Sequence, residues 1–125
     1  MRILCGTDII EISRVEKSIN NTNGRFIKEI YTEKEIEYCE SRGRAKYQHY
    51  AARFAAKEAI FKAISELLND KYEVSWQNAQ IINDKNGRPH IEFIDVEFSQ
   101  IKSIDISISH SKEYATAQVV LLCEE

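Results

Sequence analysis

Residues 47–68 read YQHYAARFAAKEAIFKAISELL and contain the most regular pattern of the chain. Alanine and aliphatic residues recur in this stretch at steps of three and four, the spacing that places them on one face of a helix. The recurring residues are Ala52, Ala56, Ala59, Ile60, Ala63, Ile64 and Leu67. We therefore predict a long, largely buried helix of about five turns at the centre of the fold.

Four charged residues interrupt the apolar pattern in the middle of this helix, between positions 53 and 62. Arg53 and Lys57 are four positions apart and share a helix face, and Glu58 and Lys62 form a second such pair. Ordinary surface pairs of this kind contribute only ~0.3 to 0.5 kcal/mol each. Because long charged side chains are seldom concentrated among buried alanines, we interpret the cluster as functional.

A further acidic residue, Asp8, lies inside segment 2–12, which we predict to be an opening strand with an apolar run interrupted by Gly6. A carboxylate is costly to bury there unless a cation or a metal compensates its charge. Two separated carboxylates, here Asp8 and Glu58, commonly hold Mg²⁺ when phosphate oxygens and water complete the octahedron. We predict that both residues bind a divalent metal.

Cations beside these carboxylates, such as Arg53 and Lys62, would stabilise the charge on a transferred or departing phosphate. The chain contains neither a GxxxxGK[ST] phosphate loop nor a GxGxxG dinucleotide fingerprint. Folds that bind ATP or NAD through those loops are therefore disfavoured.

The first third of the chain contains two capping-box spacings, each of which predicts the start of a helix. Ser13 and Glu16 predict a helix that continues past Gly24, and Thr32 and Glu35 predict a short acidic helix. Basic side chains recur at steps of three or four along the first helix and its continuation. They are Arg14, Lys17, Arg25 and Lys28, and they predict one basic stripe.

The second half of the chain predicts strands. Asn86 and Gly87 lie between two alternating runs, which is a good signal for a β-hairpin. Segments 104–109 and 115–122 are two further strand candidates joined by a short turn. Together with the long helix they predict an α+β fold in which this helix packs on an antiparallel β-meander.

The composition fits a single domain over residues 1–125. The chain is 43% hydrophobic and 30% charged, and its one proline and four glycines leave no Pro/Gly-rich linker. The N-terminus lacks the apolar core of a signal peptide and no apolar run approaches the ~20 residues of a membrane span, so we expect a cytoplasmic protein without membrane association. Three widely spaced cysteines predict reduced thiols.

Charge is segregated along the chain. The net charge is −3, yet six basic residues and one acidic residue between Arg42 and Lys62 give this stretch a formal charge of +5. A cationic segment in an acidic protein favours a specific anionic partner and disfavours a general nucleic-acid surface. A non-catalytic module that binds an anion such as RNA stays open as an alternative, as does a different magnesium-dependent phosphotransferase or nucleotide-ester hydrolase.

Four motifs follow one another along the chain: GTDIIEI at 6–12, RFAAKEA at 53–59, NGRP at 86–89 and SISHS at 107–111. In order and spacing they resemble the motifs of holo-acyl-carrier-protein synthase, the short type of phosphopantetheinyl transferase. The resemblance covers essentially the whole chain and implies the 4′-phosphopantetheinyl transferase fold. It also implies that 4′-phosphopantetheine is transferred from coenzyme A to a serine of apo-acyl-carrier protein, with release of adenosine 3′,5′-bisphosphate. The implied setting is fatty acid biosynthesis, with Mg²⁺ as cofactor and a homotrimer whose active sites lie between subunits.

The resemblance assigns roles by position. Asp8 and Glu58 match the metal carboxylates, and Lys62 matches a basic residue beside the reacting phosphate. Arg14 matches a residue that docks the carrier protein, and the basic stripe is a plausible complement to an acidic carrier. The positions around the adenosine phosphates of coenzyme A are Arg53, Gly87, Arg88, Pro89, His110 and Ser111. The general base is open between Glu58 and a metal-bound water.

Only one of the three histidines is singled out. A lone histidine at a strand end is more often structural than a ligand. His110 lies between Ser109 and Ser111, whose hydroxyl groups suit phosphate binding, and the resemblance supports that role. His49 and His90 have no such support.

Overall fold

The computed structural model describes residues 1–125 as four helices and five strands joined by turns, several of them 3₁₀ turns. In chain order the elements are β1 (Arg2–Glu11), α1 (Ile12–Asn20), α2 (Arg25–Ile30), α3 (Glu33–Glu40), α4 (Lys46–Ile64), β2 (Ala79–Asn83), β3 (Pro89–Phe93), β4 (Ile101–His110) and β5 (Tyr114–Cys123). None of the helices combines the length and the hydropathy needed to cross a membrane.

The main sheet brings the two ends of the chain together. Its strand order is β1-β5-β4, and β1 pairs with β5 in antiparallel register from Arg2 opposite Cys123 to Glu11 opposite Tyr114. Strands β2 and β3 form a separate antiparallel hairpin. The predicted α+β class with a long buried helix is confirmed, and the strands of the predicted meander are divided between two hairpins.

Helix α4 lies across the main sheet, over β1 and β5. The two elements are in close contact at Gly6, where a Cβ atom would overlap the carbonyl oxygen of Ala59. The predicted opening strand is confirmed, and Gly6 lies within it and leaves room for the helix. Small buried residues line the facing side of α4, namely Ala55, Ala56, Ala59 and Ala63.

The start of α1 differs from the prediction. The helix begins at Ile12 with Glu11 as its N-cap and has no side-chain cap, so Ser13 and Glu16 do not form a capping box. The N–H of Ile12 instead donates to the carbonyl oxygen of Glu113 at 2.9 Å. Because β1 leads directly into the helix, an acceptor from a distant turn replaces the local cap.

Two helices are shorter than predicted. The chain turns at Gly24, whose φ of 83° is left-handed, so α1 and α2 are separate helices. Helix α4 ends at Ile64, because residues 65–67 tighten into a 3₁₀ turn. The capping box of Thr32 and Glu35 is confirmed and begins α3.

A buried ion pair joins α3, α4 and β2. Lys57 and Glu35 are both wholly buried, with 2.8 Å between Nζ and Oε1. Lys57 Nζ also donates to the carbonyl oxygens of Trp76 and Ala79, and Glu35 accepts the N–H of Ile81 at 2.8 Å. Lys57 is therefore a structural residue, and its inclusion in the functional cluster on α4 was wrong. Removing either partner would leave an uncompensated buried charge.

Candidate active site

Asp8 and Glu58 lie beside each other on one flank of α4. Asp8 is opposite Ala117 in the sheet and points toward the helix, with 18% of its side chain exposed. Lys62, one turn after Glu58, places Nζ 3.3 Å from Asp8 Oδ1 and donates to the carbonyl oxygen of Thr7 at 2.9 Å. Strand β1 and helix α4 thus bring the predicted carboxylates and their cation together.

The two carboxylates repel each other. The pKa of Glu58 is raised because burial removes water from its carboxyl group and because the charge of Asp8 is close, while Lys62 acts in the opposite direction. A divalent cation between the carboxylates would relieve this repulsion. Their oxygen atoms suit Mg²⁺, and no group of three or more acidic, histidine or cysteine side chains is present, so water and phosphate oxygens would complete its coordination.

A cavity of about 220 Å³ lies between α3, α4, the β2–β3 hairpin and β4. It is lined by four of the six residues predicted to surround the adenosine phosphates: Arg53, Gly87, Pro89 and His110. The other lining residues are Tyr38, His49, Ala52, Asn83 and Ile108. Because its ionisable lining includes a guanidinium and two imidazoles, we call it the anion cavity.

Arg53 supplies the permanent positive charge of the anion cavity. Its side chain is almost wholly buried, one Nη atom donates to Asn83 Oδ1 at 2.6 Å, and the guanidinium carbon lies 4.1 Å from the centre of the Tyr38 ring. The buried Nε atom of Arg53 has no hydrogen-bond partner. Because this guanidinium also lines the cavity, it is suited to binding an anion such as phosphate.

The hairpin turn brings backbone atoms to the cavity wall. Gly87 has a left-handed φ of 84°, which a residue with a side chain adopts only at a cost. The carboxylate of Asp84 accepts the N–H groups of Asn86 and Arg88 at 2.8 and 3.0 Å and fixes the turn. Pro89 follows as the first residue of β3.

Two of the predicted adenosine-phosphate residues lie outside the anion cavity of the single chain. Arg88 is exposed and pairs with Asp105, with 3.1 Å between Nη2 and Oδ2. Ser111 forms the β4–β5 turn, where its N–H donates to the carbonyl oxygen of Tyr114 at 2.8 Å. A further cavity of about 370 Å³, beyond the end of α4 between Phe61 and Trp76, is lined by none of the predicted site residues.

The carboxylate pair and the anion cavity lie on different flanks of α4. Arg53 and Glu58 are five positions apart, which separates their directions by about 140° around the helix. In the sheet, Asp8 and Ile108 flank Ala117 on the two edge strands, about 10 Å from each other. The body of α4 therefore separates the two sites within one chain.

The model of the 4′-phosphopantetheinyl transferase superfamily matches residues 4–119 of the chain. A holo-[acyl-carrier-protein] synthase of Ruminiclostridium cellulolyticum is 40% identical over 97% of this chain and 92% of its own length. Another, from Chloroherpeton thalassium, is 42% identical over 93% of this chain and 94% of its own length. The chain belongs to the holo-[acyl-carrier-protein] synthase family.

Solved structures of this family share the fold of the enzyme. The holo-(acyl-carrier-protein) synthase of Bacillus anthracis in complex with CoA (3′,5′-ADP) has a TM-score of 0.79 and 36% identity, and the alignment covers 97% of this chain and 96% of that chain. The Helicobacter pylori synthase in complex with coenzyme A has a TM-score of 0.82 and 29% identity over 95% of this chain and 100% of that one. The predicted family, fold class and enzyme class are confirmed.

Three polar residues that line the anion cavity of this phosphopantetheinyl transferase were not predicted from its sequence. His49 lies four residues before Arg53 on α4, so their shared helix face was a usable signal. Tyr38 on α3 and Asn83 on β2 reach the cavity only through the packing of three elements, and no local pattern indicates this.

The predicted basic stripe is exposed on α1 and α2 of the enzyme. Its four members, Arg14, Lys17, Arg25 and Lys28, form no ion pair within the chain. The apolar side of α1 is buried through Ile12, Val15 and Ile19. These basic groups are therefore available to an acidic partner. By contrast, the basic segment 42–62 is not one surface, because Arg53 and Lys57 are buried.

Proposed function

We propose that this enzyme transfers 4′-phosphopantetheine from coenzyme A to a serine hydroxyl of apo-acyl-carrier protein and releases adenosine 3′,5′-bisphosphate. The observation that carries the proposal is the placement of Asp8, Glu58 and Lys62 in one site of a chain that belongs to this family. Two carboxylates and one cation suit a diphosphate ester with a divalent metal.

The carboxylates of Asp8 and Glu58 would hold Mg²⁺, which, when bound, neutralises charge on the diphosphate. The serine oxygen forms a bond to the phosphorus of the pantetheine phosphate, and the bond from that phosphorus to the bridging oxygen breaks. Lys62 neutralises the charge that collects on the departing bisphosphate. The serine proton passes to a general base, for which Glu58 and a metal-bound water are both candidates.

The anion cavity would bind the adenosine end of coenzyme A. Arg53 and His110 supply donors for its phosphates, and the turn at Gly87 and Pro89 supplies a close backbone wall. Arg88 and Ser111 are assigned to the same substrate through the family motifs. Both lie outside the cavity of one chain.

The enzyme would act as a homotrimer with active sites between subunits. One coenzyme A molecule must reach both the carboxylate pair and the anion cavity, and α4 separates these sites within a chain. If Asp8 and Glu58 of one subunit lie beside the anion cavity of its neighbour, one coenzyme A molecule can reach both sites. Closed symmetry repeats the same contact at each interface.

The carrier protein would dock on the basic stripe, with Arg14 as the principal contact. Acyl-carrier proteins are acidic, so opposite charges would steer the encounter. The reaction would belong to fatty acid biosynthesis in the cytoplasm, where the carrier holds the growing acyl chain.

A mass measurement tests the reaction directly. The enzyme is incubated with coenzyme A, Mg²⁺ and apo-carrier protein, and we expect the carrier to gain ~340 Da, the mass of the transferred group. The same mixture with excess chelator should leave the carrier unmodified. Release of the bisphosphate from coenzyme A with no gain on the carrier would indicate a hydrolase and contradict the proposal.

A further inference from the structure

His49 is an ionisable group in the anion cavity to which neither the sequence nor the family motifs assign a role. It lies one turn before Arg53 on α4 and lines the same wall. Its ring centre is 5.8 Å from that of His110 and 5.4 Å from that of Tyr38, in edge-on contacts with both. No carboxylate forms an ion pair with its ring nitrogens.

The surroundings of His49 disfavour its charged form. Its pKa is lowered because burial removes water from the ring and because the positive charges of Arg53, His110 and Arg42 are close. Helix α3 contributes Tyr38 to the cavity, and the hairpin contributes only Asn83, Gly87 and Pro89. No acidic side chain lines the cavity, so nothing within it stabilises an imidazolium.

A bound phosphate favours the charged form of His49. A negative charge within about 4–6 Å raises the pKa of a histidine by about one to three units. Arg53, His110 and His49 line the same cavity, so a phosphate bound there lies among these three side chains. The imidazolium of His49 can then donate a hydrogen bond to a phosphate oxygen.

We propose that His49 is a further phosphate-binding residue of the anion cavity and takes up a proton when the bisphosphate end of coenzyme A binds. The assignment of the ligand rests on the proposed function. The residue acts on substrate affinity, because it lies on the flank of α4 away from Asp8 and Glu58.

The direction in which pH changes the binding affinity follows from the protonation of His49 in the free enzyme and in the complex. In the free enzyme the pKa of His49 is lowered from the ordinary histidine value, and in the complex it is higher than in the free enzyme. As the pH falls from the higher value to the lower one, binding gains up to one proton and becomes tighter. Below the lower value both states are protonated and this contribution stops changing.

Calorimetry with adenosine 3′,5′-bisphosphate tests the proposal on the whole enzyme. Binding to wild type and to His49→Phe is measured in buffers of different ionisation enthalpy, which counts the protons taken up. Phenylalanine keeps a ring against Tyr38 and His110 but cannot bind a proton. We expect about tenfold weaker binding of the variant near pH 6 and a smaller proton uptake than wild type.

The ligand's own phosphates titrate in the same range, and the difference between the two proteins removes that contribution. His90→Gln serves as a matched control, because His90 contacts Asp84 at 3.1 Å and lies outside the cavity. This control should bind the ligand and take up protons like wild type. Equal affinity and equal proton uptake in His49→Phe would overturn the proposal.

NMR gives a readout that does not require a stable variant. The chain has only three histidines, so their ring signals can be followed individually through a pH titration. The midpoint of His49 should rise by about one unit or more when the bisphosphate is bound. An unchanged midpoint in a saturated complex would overturn the proposal.

The transfer assay on the same preparations separates this proposal from the proposed function. If wild type modifies the carrier and His49→Phe retains its proton uptake, the role of His49 is wrong and the function stands. If His49 binds the bisphosphate with proton uptake and no carrier is modified, the cavity proposal stands and the transferase function fails.

Discussion

Asp8 and Glu58 bring two negative charges into one small space, and the raised pKa of Glu58 reflects that repulsion. Lys62 is more than half exposed, so it compensates the pair only partly. Residues selected for stability alone would not be arranged in this way. An arrangement that is unfavourable without a ligand is typical of residues that bind a cation and a charged substrate.

Glu58→Gln should lower the transfer rate by at least about 100-fold, because the substrate diphosphate loses a metal-held contact. The fold should persist, since the substitution removes a charge that Asp8 repels. Mg²⁺ should raise the melting temperature of the wild-type enzyme and not that of the variant. Steady-state transfer rates and thermal unfolding with and without Mg²⁺ measure both effects.

Glu66→Gln is the matched control for that variant. Glu66 is an exposed acid just beyond α4 that pairs with Arg2, away from the carboxylate pair. It should retain the transfer rate and the response to Mg²⁺. Near-wild-type turnover of Glu58→Gln, with Glu66→Gln also active, would rule out the metal assignment.

Helix α4 is the element on which both sites depend. One flank of the helix presents Glu58 and Lys62, and another presents His49 and Arg53. Its alanines allow close contact with the sheet, and the Lys57 ion pair fixes the helix against α3 and β2. The backbone of α4 is therefore held by packing against the sheet, α3 and β2.

Helices α1 and α2 present the basic stripe on which we propose that the carrier protein docks. Arg14→Glu should raise KM for the carrier by about tenfold and leave KM for coenzyme A unchanged, because a surface charge acts mainly on association. The dependence of carrier KM on salt should also weaken. Initial rates at varied concentrations of each substrate and of salt measure this.

Lys34→Glu is a suitable control, since Lys34 is an exposed basic residue on α3, outside the stripe. It changes the net charge by the same amount as Arg14→Glu. If both variants raise KM for the carrier equally, net charge rather than the basic stripe controls docking. Equal effects of Arg14→Glu on both substrates would also contradict docking at this stripe.

At the scale of the whole molecule, the two flanks of α4 predict that neighbouring subunits share an active site. Glu58→Gln and His110→Glu should each be inactive alone, because each disables one half of every site. In trimers co-expressed from equal amounts of both chains, about a quarter of the sites combine two intact halves. Transfer activity of the mixed trimers should therefore recover to about a quarter of the wild-type value.

Light scattering on the same samples determines the assembly. A trimer with recovered activity supports the shared site. A monomer at assay concentration, or a trimer whose mixed form stays inactive, would show that each chain contains its complete site.

The sequence by itself determined the elements that depend on neighbours a few positions away. The helix at the centre, the Thr32 capping box and the hairpin at Gly87 all follow from contacts within one turn of chain. The positions of Asp8 in an apolar segment and of Glu58 on the alanine-rich helix made both residues candidate metal ligands, and the family motifs matched them to that role. The α+β class and the candidate carboxylate pair were therefore accessible before the fold was known.

Only the tertiary structure decided features that depend on distant partners. Ser13 has the spacing of an N-cap, but the N–H of Ile12 instead donates to the carbonyl oxygen of Glu113, which is distant in sequence. Lys57 lies on the same helix as the candidate site residues, and only its buried ion pair with Glu35 shows that it is structural. The pairing of β1 with β5, and the separation of the two sites by α4, have no local signature because they join parts of the chain far apart in sequence.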